Sequence, residues 1–298
     1  MCYSARVWSD FRKYQRVFGA AVSIGDFARL FAERAAGAPI RVPKALDAAF
    51  ADVGEAGISV AIATWRRDHA ASLAAEVFKQ RARQAAAEGS LQHKVTKTAQ
   101  EEARKGGSMA KRAQAQLDTL KRAELRPQDE RVYPGMYAPV IVLQEGRRVL
   151  RPMRYRCRPE GRPASYDRRY PGTYNARRDN LDGFWKGQFG AHHALMVAEA
   201  FYENVNGTEL EYTPRTGEPL LVACLWSPWS GADGELLSFA AITDEPEPEV
   251  AATGHDRTVI NIKPGNVDAW LNPGGDLQAM QAILEDRQHP FYEHRIAA

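Results

Sequence analysis

The chain has 298 residues, of which 44% are hydrophobic and 26% are charged, and its formal net charge at pH 7 is +3. These values are ordinary for a soluble globular protein of one large or two modest domains. No run approaches the roughly 20 apolar residues of a membrane span, and the N-terminus lacks the apolar stretch of a signal peptide. The cysteines Cys2, Cys157 and Cys224 are far apart and odd in number, so we expect a reducing, cytoplasmic compartment.

The first part of the chain predicts a strand, a short helix and a long helical segment. Residues 2–8 predict the strand, and residues 25–34 predict a short amphipathic helix. From 43 to 126 the sequence is rich in Ala, Gln, Glu, Lys and Arg, which predicts two or three long helices, broken at 88–90 and at 106–108. Because this segment has few large apolar residues, we expect a surface arm or hairpin.

After Pro127 the sequence mainly predicts strands. Short apolar runs predict them at 140–143, 149–150, 194–197, 220–225 and 238–243. Turn-forming residues separate them at 144–146, 206–207 and 216–217. Short helices are expected at 267–271 and 277–280. Several short strands separated by turns indicate a β-rich α+β fold.

Two regions of the chain are strongly basic. Residues 66–126 hold 14 Lys/Arg against 7 Asp/Glu, a net +7, and residues 147–178 hold 11 Arg against only Glu160 and Asp167, a net +9. Guanidinium groups bind phosphate in a bidentate fork, and tyrosines stand between these arginines at 155, 166, 170 and 174. Arginines with aromatic residues are typical of a surface that follows a phosphate backbone and stacks bases. A solvated basic face would have the same composition.

Cys2 offers a chemistry that no internal residue has. If Met1 is removed, Cys2 carries a free α-amine beside its thiol, with unperturbed pKa values of roughly 7.7–8.0 and about 8.5. An aldehyde can form a Schiff base with the amine, and the thiol can then close a five-membered thiazolidine. In the alternative interpretation, Cys2 is simply a small residue after the start codon. With no CxxC and no HExxH motif, and with His192 and His193 pointing in different directions, we expect no metal site.

Four short motifs occur in a fixed order along the chain. They are Met1-Cys2, Tyr174-Asn175-Ala176-Arg177, Ala198-Glu199-Ala200-Phe201-Tyr202-Glu203 after a predicted buried strand, and Gly254-His255-Asp256-Arg257-Thr258. This set resembles the SRAP family of SOS response-associated peptidases, whose members include the eukaryotic protein that shields abasic sites in single-stranded DNA. The resemblance covers residues 1–35 and about 130–298. Two departures are Tyr3-Ser4-Ala5-Arg6 instead of Gly-Arg-Phe after Met-Cys, and the His255 motif, which lacks the usual Met-Pro.

The resemblance implies a compact β-rich α+β domain over 1–298, with a helical, basic insertion at 38–128. It also implies covalent capture of the aldehyde of an abasic site. Cys2 would be the nucleophile, Glu203 a general acid/base, His255 a proton carrier, and Asn175 a hydrogen-bonding group for the amine or the sugar. Without the resemblance, Glu203 would be interpreted as a surface carboxylate before a turn and His255 as a solvated loop residue.

The resemblance and the basic composition also suggest partners. We expect single-stranded DNA with an abasic site to contact arginines and a few other residues, namely Arg6, Arg154, Arg156, Tyr170, Arg177 and Thr243. The arm at 66–126 would contact adjacent duplex DNA or an acidic protein partner. No cofactor is implied, and a bacterial member would be nucleoid-associated. Two other functions stay open: a cysteine peptidase or amidohydrolase that removes Met1 from its own chain, and a non-covalent single-stranded-DNA-binding module.

Overall fold

A computed structural model of the chain describes residues 3–51, 53–232 and 234–297. The helices are α1 (Phe11–Phe18), α2 (Ile24–Ala35), α3 (Lys44–Ala51), α4 (Ala56–His93), α5 (Lys97–Lys121), α6 (Tyr166–Arg169), α7 (Pro248–Ala251), α8 (Val267–Leu271) and α9 (Leu277–Glu285). The strands are β1 (Ser4–Val7), β2 (Ala21–Val22), β3 (Arg131–Val132), β4 (Tyr137–Gln144), β5 (Arg147–Tyr155), β6 (Asn175–Arg177), β7 (His193–Val205), β8 (Thr208–Pro214), β9 (Leu220–Gly231), β10 (Gly234–Asp244), β11 (Thr258–Val259) and β12 (Tyr292–Ile296). The predicted α+β fold class is confirmed.

The chain divides into two compact units. The sheet unit comprises the described residues of Met1–Leu30, Pro39–Ala49 and Arg126–Ala298. The helical unit comprises those of Phe31–Ala38 and Phe50–Leu125. The predicted single domain with an insertion at 38–128 stays a prediction. None of the helices within the described ranges has both the length and the apolar character that a membrane crossing requires.

Five strands of the sheet unit are hydrogen-bonded in a closed ring, which makes a barrel. In order around the ring they are β4, β5, β10, β9 and β7. The β5–β10 pair is parallel and the other four pairs are antiparallel. The remaining strands extend from this ring: β1 and β8 pair with β7, β6 and β11 with β10, and β2 with β5, while β3 pairs with β1 and β12 with β8. The five strand segments predicted after Pro127 lie within β4, β5, β7, β9 and β10, and β1 lies within the strand predicted at 2–8.

Apolar side chains and two tight turns explain this architecture. Val140, Met153 and Phe239 are fully buried, and the rings of Tyr155 and Phe239 stack 5.1 Å apart. The β7–β8 hairpin turns at Asn206-Gly207, where both φ angles are positive. Glu145-Gly146 does the same between β4 and β5. Positive φ at both positions matches the twist of the flanking strands, so these predicted turns fix the register of both hairpins.

The helical unit contains a hairpin of α4 and α5, which are joined by residues 94–96. The predicted helix breaks at 88–90 and 106–108 are wrong, because both segments are helical. The chain turns instead at Lys94–Thr96, where the Thr96 side chain accepts a hydrogen bond from the Ala99 N–H at 3.2 Å and so caps α5. A glycine inside a helix costs only about 1 kcal/mol relative to alanine, too little to end a long helix.

Candidate active site

Cys2, the predicted nucleophile, lies outside the residues that the structure describes. Tyr3 is the first described residue, and β1 begins at Ser4. β1 runs antiparallel to β7, and Ser4 stands opposite Tyr202. Glu203 is the next residue along β7. The described chain therefore starts at the same end of the β1–β7 pair as Glu203.

Glu203 is a buried carboxyl group, with a side chain only 3% exposed. Its motif lies inside β7 rather than after a strand, so Glu203 shares a face of the sheet with Phe201, two residues earlier. Burial raises the pKa of Glu203 above its ordinary value, although the hydrogen bond with His255 acts in the opposite direction. Glu203 is therefore a carboxyl group that can carry a proton closer to neutral pH than a solvated glutamate can.

His255 reaches Glu203 from the loop between α7 and β11. Its Nε2 lies 3.3 Å from Oε2 of Glu203, and its side chain is 10% exposed. Its Nδ1 lies 2.9 Å from the carbonyl oxygen of Arg257, a distance that suits donation from Nδ1–H. Burial lowers the pKa of His255, but the hydrogen bond and the charge of Glu203 outweigh burial and raise it overall. The two side chains thus share a site where a proton can be exchanged.

Two residues that the sequence did not single out hold this loop. The hydroxyls of Tyr212, on β8, and Thr253 are 2.6 Å apart, and the Thr253 hydroxyl donates to the carbonyl oxygen of Val250 at 2.7 Å. Gly254 follows with a φ of +91°, which favours glycine. No local motif marks Tyr212, because its role depends on a contact with a loop 41 residues later.

Asn175 places an unpaired amide in the interior of the sheet unit. It is 7% exposed, and neither its Oδ1 nor its Nδ2 has a hydrogen-bond partner among the described residues. The same holds for the buried Oγ1 of Thr243. A buried polar group without a partner costs about 1–3 kcal/mol. Both side chains therefore keep hydrogen-bonding capacity for another group.

Strand pairing and electrostatics bring β6 close to the His255 loop. On β10, Thr243 stands opposite Arg177 of β6 on one side and Val259 of β11 on the other. Arg177 forms an ion pair with Asp179 at 2.5 Å, and its side chain is 52% exposed. The hydrogen bond from Arg177 to Asp179 raises the pKa of Arg177, and the charge of Asp256 adds to the effect. Arg177 and Asp256, the neighbour of His255, are therefore within electrostatic range.

A groove of about 470 Å³ opens beside Tyr3 on the sheet unit. Its lining is aromatic, basic and proline-rich: Tyr3, Arg41, Tyr133, Pro134, Arg156, Pro171 and Tyr174. The rings of Tyr3 and Tyr133 meet edge to face with centroids 5.8 Å apart. Neither Arg41 nor Arg156 has a carboxylate partner among the described residues. The groove thus combines ring faces with available cations, and Tyr174 connects it to Asn175.

Arg156 has an unusual backbone in this groove. Its φ is +150°, a conformation that favours glycine, and its Nε is buried without a hydrogen-bond partner among the described residues. Such strain costs on the order of 1–3 kcal/mol and is concentrated at functional sites. The backbone N–H of Arg156 nevertheless donates a hydrogen bond to the carbonyl oxygen of Phe239 at 3.0 Å, and this bond holds the backbone at residue 156 against β10.

The other predicted DNA-binding residues have different surroundings. Arg6 is paired with Glu211 at 2.9 Å and Glu199 at 3.4 Å. Arg154 is paired with Asp167 at 2.8 Å. Tyr170 is exposed, with its ring 4.4 Å from that of Tyr166. Their DNA-binding roles stay predictions, and Arg41 and Tyr133 are groove residues that the sequence did not indicate.

Carboxylates pair with six of the eleven arginines at 147–178 among the described residues, and all of these carboxylates except Asp167 come from outside the segment. Besides Arg154 with Asp167 and Arg177 with Asp179, the pairs are Arg148 with Asp268, Arg151 with Asp26, Arg158 with Asp167, and Arg178 with Asp244 and Glu285. The local charge of +9 in the sequence therefore overstates the charge available to a ligand. No group of three or more possible metal ligands occurs among the described residues.

Comparisons with known proteins define the class and then the family. The sheet unit is a small closed barrel of an α+β protein with a buried Glu–His pair at one strand end. The family model described as "SOS response associated peptidase (SRAP)" matches residues 92–297. The chain belongs to the SRAP family, which associates it with the SOS response to DNA damage. No curated protein was found to match the sequence.

Three solved structures are similar to part of this chain. A crystal structure of a Bordetella bronchiseptica protein is 21% identical, covers 59% of this chain and 90% of its own, and has a TM-score of 0.50. A Bacteroides thetaiotaomicron protein is 14% identical, covers 56% of this chain and 77% of its own, and has a TM-score of 0.47. A phage-related protein from Bordetella bronchiseptica is 18% identical, covers 56% of this chain and 80% of its own, and has a TM-score of 0.45. The first of these shows a shared fold.

Proposed function

We propose that this protein captures abasic sites in single-stranded DNA as a covalent thiazolidine on Cys2, after Met1 has been removed. The observation that carries the proposal is the contact between buried Glu203 and His255. It lies at the end of the β1–β7 pair where the described chain begins, one residue after Cys2. An N-terminal aminothiol and a carboxyl group with a raised pKa are the two groups that this chemistry requires.

The reaction balances with one water released. The Cys2 amine adds to C1′ of the ring-opened sugar, and loss of water gives an imine. The Cys2 thiol then adds to the imine carbon, its proton goes to the nitrogen, and the five-membered ring closes. Glu203 donates and accepts the protons of sugar opening and dehydration, and His255 resupplies them. Removal of Met1 is a separate hydrolysis that consumes one water.

The groove beside Tyr3 is the proposed path of the DNA strand. Arg41 and Arg156 would contact phosphates, and the tyrosine rings would stack bases. Asn175, buried with an unpaired amide, would hydrogen-bond to the sugar or to the Cys2 amine. A peptidase acting on peptides has no evident need for unpaired arginines between aromatic rings. Self-removal of Met1 is compatible with the proposal, because it would use the same three residues, Cys2, Glu203 and His255.

The test is incubation with single-stranded DNA that carries one abasic site, followed by a denaturing gel. We expect wild-type protein to give a stable crosslink. Cys2→Ala should give no heat-stable product, and Cys2→Ser only an imine that borohydride traps. Glu203→Gln should slow crosslinking by roughly 10²–10⁴-fold, the usual contribution of an acid–base group. Intact mass of the crosslinking protein should lack Met1.

Two controls separate specific from general effects. Cys157→Ala should crosslink normally, because burial raises the pKa of the Cys157 thiol to about 12 and keeps it protonated. Glu247→Gln should also crosslink normally, although Glu247 pairs with His289 at 2.5 Å in a second Glu–His contact. Tight DNA binding without any covalent product would support the non-covalent module instead. A stable adduct on Cys2→Ala at wild-type yield would exclude the thiazolidine.

A further inference from the structure

One face of the α4–α5 hairpin forms an open groove of about 630 Å³. Its cations are Arg81 on α4 and Arg104 and Lys111 on α5. Arg104 and Lys111 are seven residues apart, two helical turns or about 10 Å along one face of α5. All three side chains are exposed. The groove therefore presents a row of positive charge with a third cation on the opposite wall.

None of the three groove cations has an ion pair among the described residues, whereas three cations elsewhere on the hairpin do. Arg83 is paired with Glu102 at 2.6 Å, and Lys105 with Glu101 at 2.9 Å. Arg67 is paired with its neighbour Asp68 at 2.8 Å. The ion pairs of the hairpin thus lie outside the groove, and the charges of Arg81, Arg104 and Lys111 are available to a ligand.

The remaining lining is small or polar. Ala103, Gly107, Ser108 and Ala115 have little side-chain bulk, so a ligand can approach the helix backbone closely. The amide nitrogens of Gln84 and Gln114 donate to Glu88 and Asp118 at 2.8 Å each, and each keeps a second N–H for a ligand. No aromatic residue lines this groove, so it has no platform for stacking bases. Asp118 stands at one end and is the one acidic residue of the lining.

We infer that this groove binds the phosphate backbone of duplex DNA. The groove offers unpaired cations, amide N–H groups and a shallow floor of small residues. These features suit the continuous row of phosphates along a DNA duplex, whose binding does not require exposed bases. Single-stranded DNA is the poorer fit, because its affinity for proteins draws on stacking that this groove does not supply. This site is separate from the proposed crosslinking chemistry and needs neither Cys2 nor an abasic lesion.

The test is the salt dependence of binding to a lesion-free duplex, with the full-length protein. We expect Arg81→Ala/Arg104→Ala/Lys111→Ala to lower the slope of log K against log salt by up to about 2.7, at about 0.9 for each phosphate that is no longer neutralised, and to weaken binding about tenfold or more at low salt. Alanine is the best helix former, so the helices should persist, which circular dichroism will show. Crosslinking to abasic single-stranded DNA, measured separately, should be unchanged.

The matched control removes three paired cations, as Arg67→Ala/Arg83→Ala/Lys105→Ala. It changes net charge equally and should keep the wild-type slope to within about 0.9, the value for one phosphate. The charge-retaining variant Arg81→Lys/Arg104→Lys should also bind as wild type does. Equal losses of affinity in both alanine triples would mean a general charge effect and would overturn the inference. An unchanged salt slope in the groove variant would also overturn the inference. So would a wild-type protein that does not bind duplex DNA, and an acidic protein would then be the better candidate for the partner.

Discussion

Glu203 and His255 set each other's protonation because both are largely buried. Burial raises the pKa of the carboxyl group and lowers that of the imidazole, which favours the neutral pair. Their hydrogen bond works against burial in both cases, lowering the pKa of Glu203 and raising that of His255. The net result is a pKa above the ordinary value for each group. The proton-transfer equilibrium of the site therefore depends on the 3.3 Å contact itself.

His255→Ala should move the pKa of Glu203 further upward. The variant removes the hydrogen bond and positive charge that stabilise the carboxylate, and burial then acts with less opposition. In the reciprocal variant Glu203→Gln, the pKa of His255 should fall, because the carboxylate that raises it is gone and burial remains. Both shifts can be followed by NMR titration of the Glu203 carboxyl carbon and the His255 ring, with no DNA present.

His289→Ala is the matched control, since it removes a histidine that contacts a different buried carboxylate, Glu247. It should leave the titration of Glu203 unchanged. If the Glu203 carboxyl titrates at the same pH in wild type and in His255→Ala, the contact with His255 does not stabilise the carboxylate and the prediction is wrong. The crosslinking rate would then need another source of protons.

Residue-level predictions from the sequence depended on the family resemblance. Glu203 and His255 are 52 residues apart, and each is typical of solvated surface when considered locally. The folding of the 252–257 loop against β7 brings them together. Tyr212 and Thr253 were missed for the same reason, since a hydroxyl pair between a strand and a distant loop leaves no periodic signal. Asp10 and Gly19, which cap α1, do carry a local capping signal.

At the scale of elements, some glycines of this chain form turns that the local sequence predicts, and others lie within helices for reasons that the local sequence does not show. Asn206-Gly207 and Glu145-Gly146 form tight turns between apolar strands, so the hairpins were predictable. The glycines at 89, 106 and 107 lie within helices instead. Gly89 has open space around it, whereas a Cβ on Gly106 would lie 3.0 Å from the backbone O of Gln80 and N of Gln84. Gly106 therefore permits close approach of α4 and α5, which sequence periodicity does not reveal.

Gly106→Ala should destabilise the helical hairpin. Its Cβ meets backbone atoms that cannot rotate away, and overpacking of this kind costs about 1–3 kcal/mol. The gain in helix propensity recovers about 1 kcal/mol of that. We expect a lower free energy for opening α5, measured by native-state hydrogen exchange of its amides. Exchange is suited to this question because a chain of two compact units need not unfold in one transition.

Gly89→Ala is the control, because it makes the same substitution within a helix where nothing is in contact. It should stabilise α4 by up to about 1 kcal/mol through helix propensity alone. If Gly106→Ala lowers the free energy of opening and Gly89→Ala raises it, the backbone contact at Gly106 is the cause of the difference. Stabilisation by both would show that α4 and α5 do not approach closely at that point.

Across the whole molecule, ion pairs reduce the charge that the arginine-rich region leaves available, because six of its eleven arginines pair with carboxylates among the described residues. The paired arginines contact carboxylates that are up to 125 residues away in the sequence, as Arg151 does with Asp26. Composition counts those arginines as a DNA-binding surface, because it cannot show which acids fold against them. The sheet-unit groove draws its charge from Arg41 and Arg156, and the hairpin groove from Arg81, Arg104 and Lys111.

Asp167 links two of these arginines and should contribute to stability in a pH-dependent way. Its carboxylate lies 2.8 Å from Nη1 of Arg154 and 2.5 Å from Nη2 of Arg158, with all three side chains no more than 15% exposed. Burial raises the pKa of Asp167, but the hydrogen bonds and charges of Arg158 and Arg154 outweigh it and lower the pKa overall. The stabilisation is therefore complete above the unfolded-state pKa of about 3.9, and it is lost as pH falls through the lower folded-state pKa.

Asp167→Asn should lower the free energy of unfolding at neutral pH by about 3 kcal/mol, since it leaves two largely buried guanidinium groups without their counter-ion. The difference between variant and wild type should narrow as pH falls below about 4, where the unfolded state begins to bind a proton at Asp167, and should be lost as pH falls through the lower folded-state pKa. Denaturant titrations at several pH values measure both effects. Asp68→Asn is the control, because its pair with Arg67 is exposed and should be worth less than about 1 kcal/mol. If Asp167→Asn costs no more than this control, the arginines of the sheet unit are held by packing, and their charges remain available to DNA.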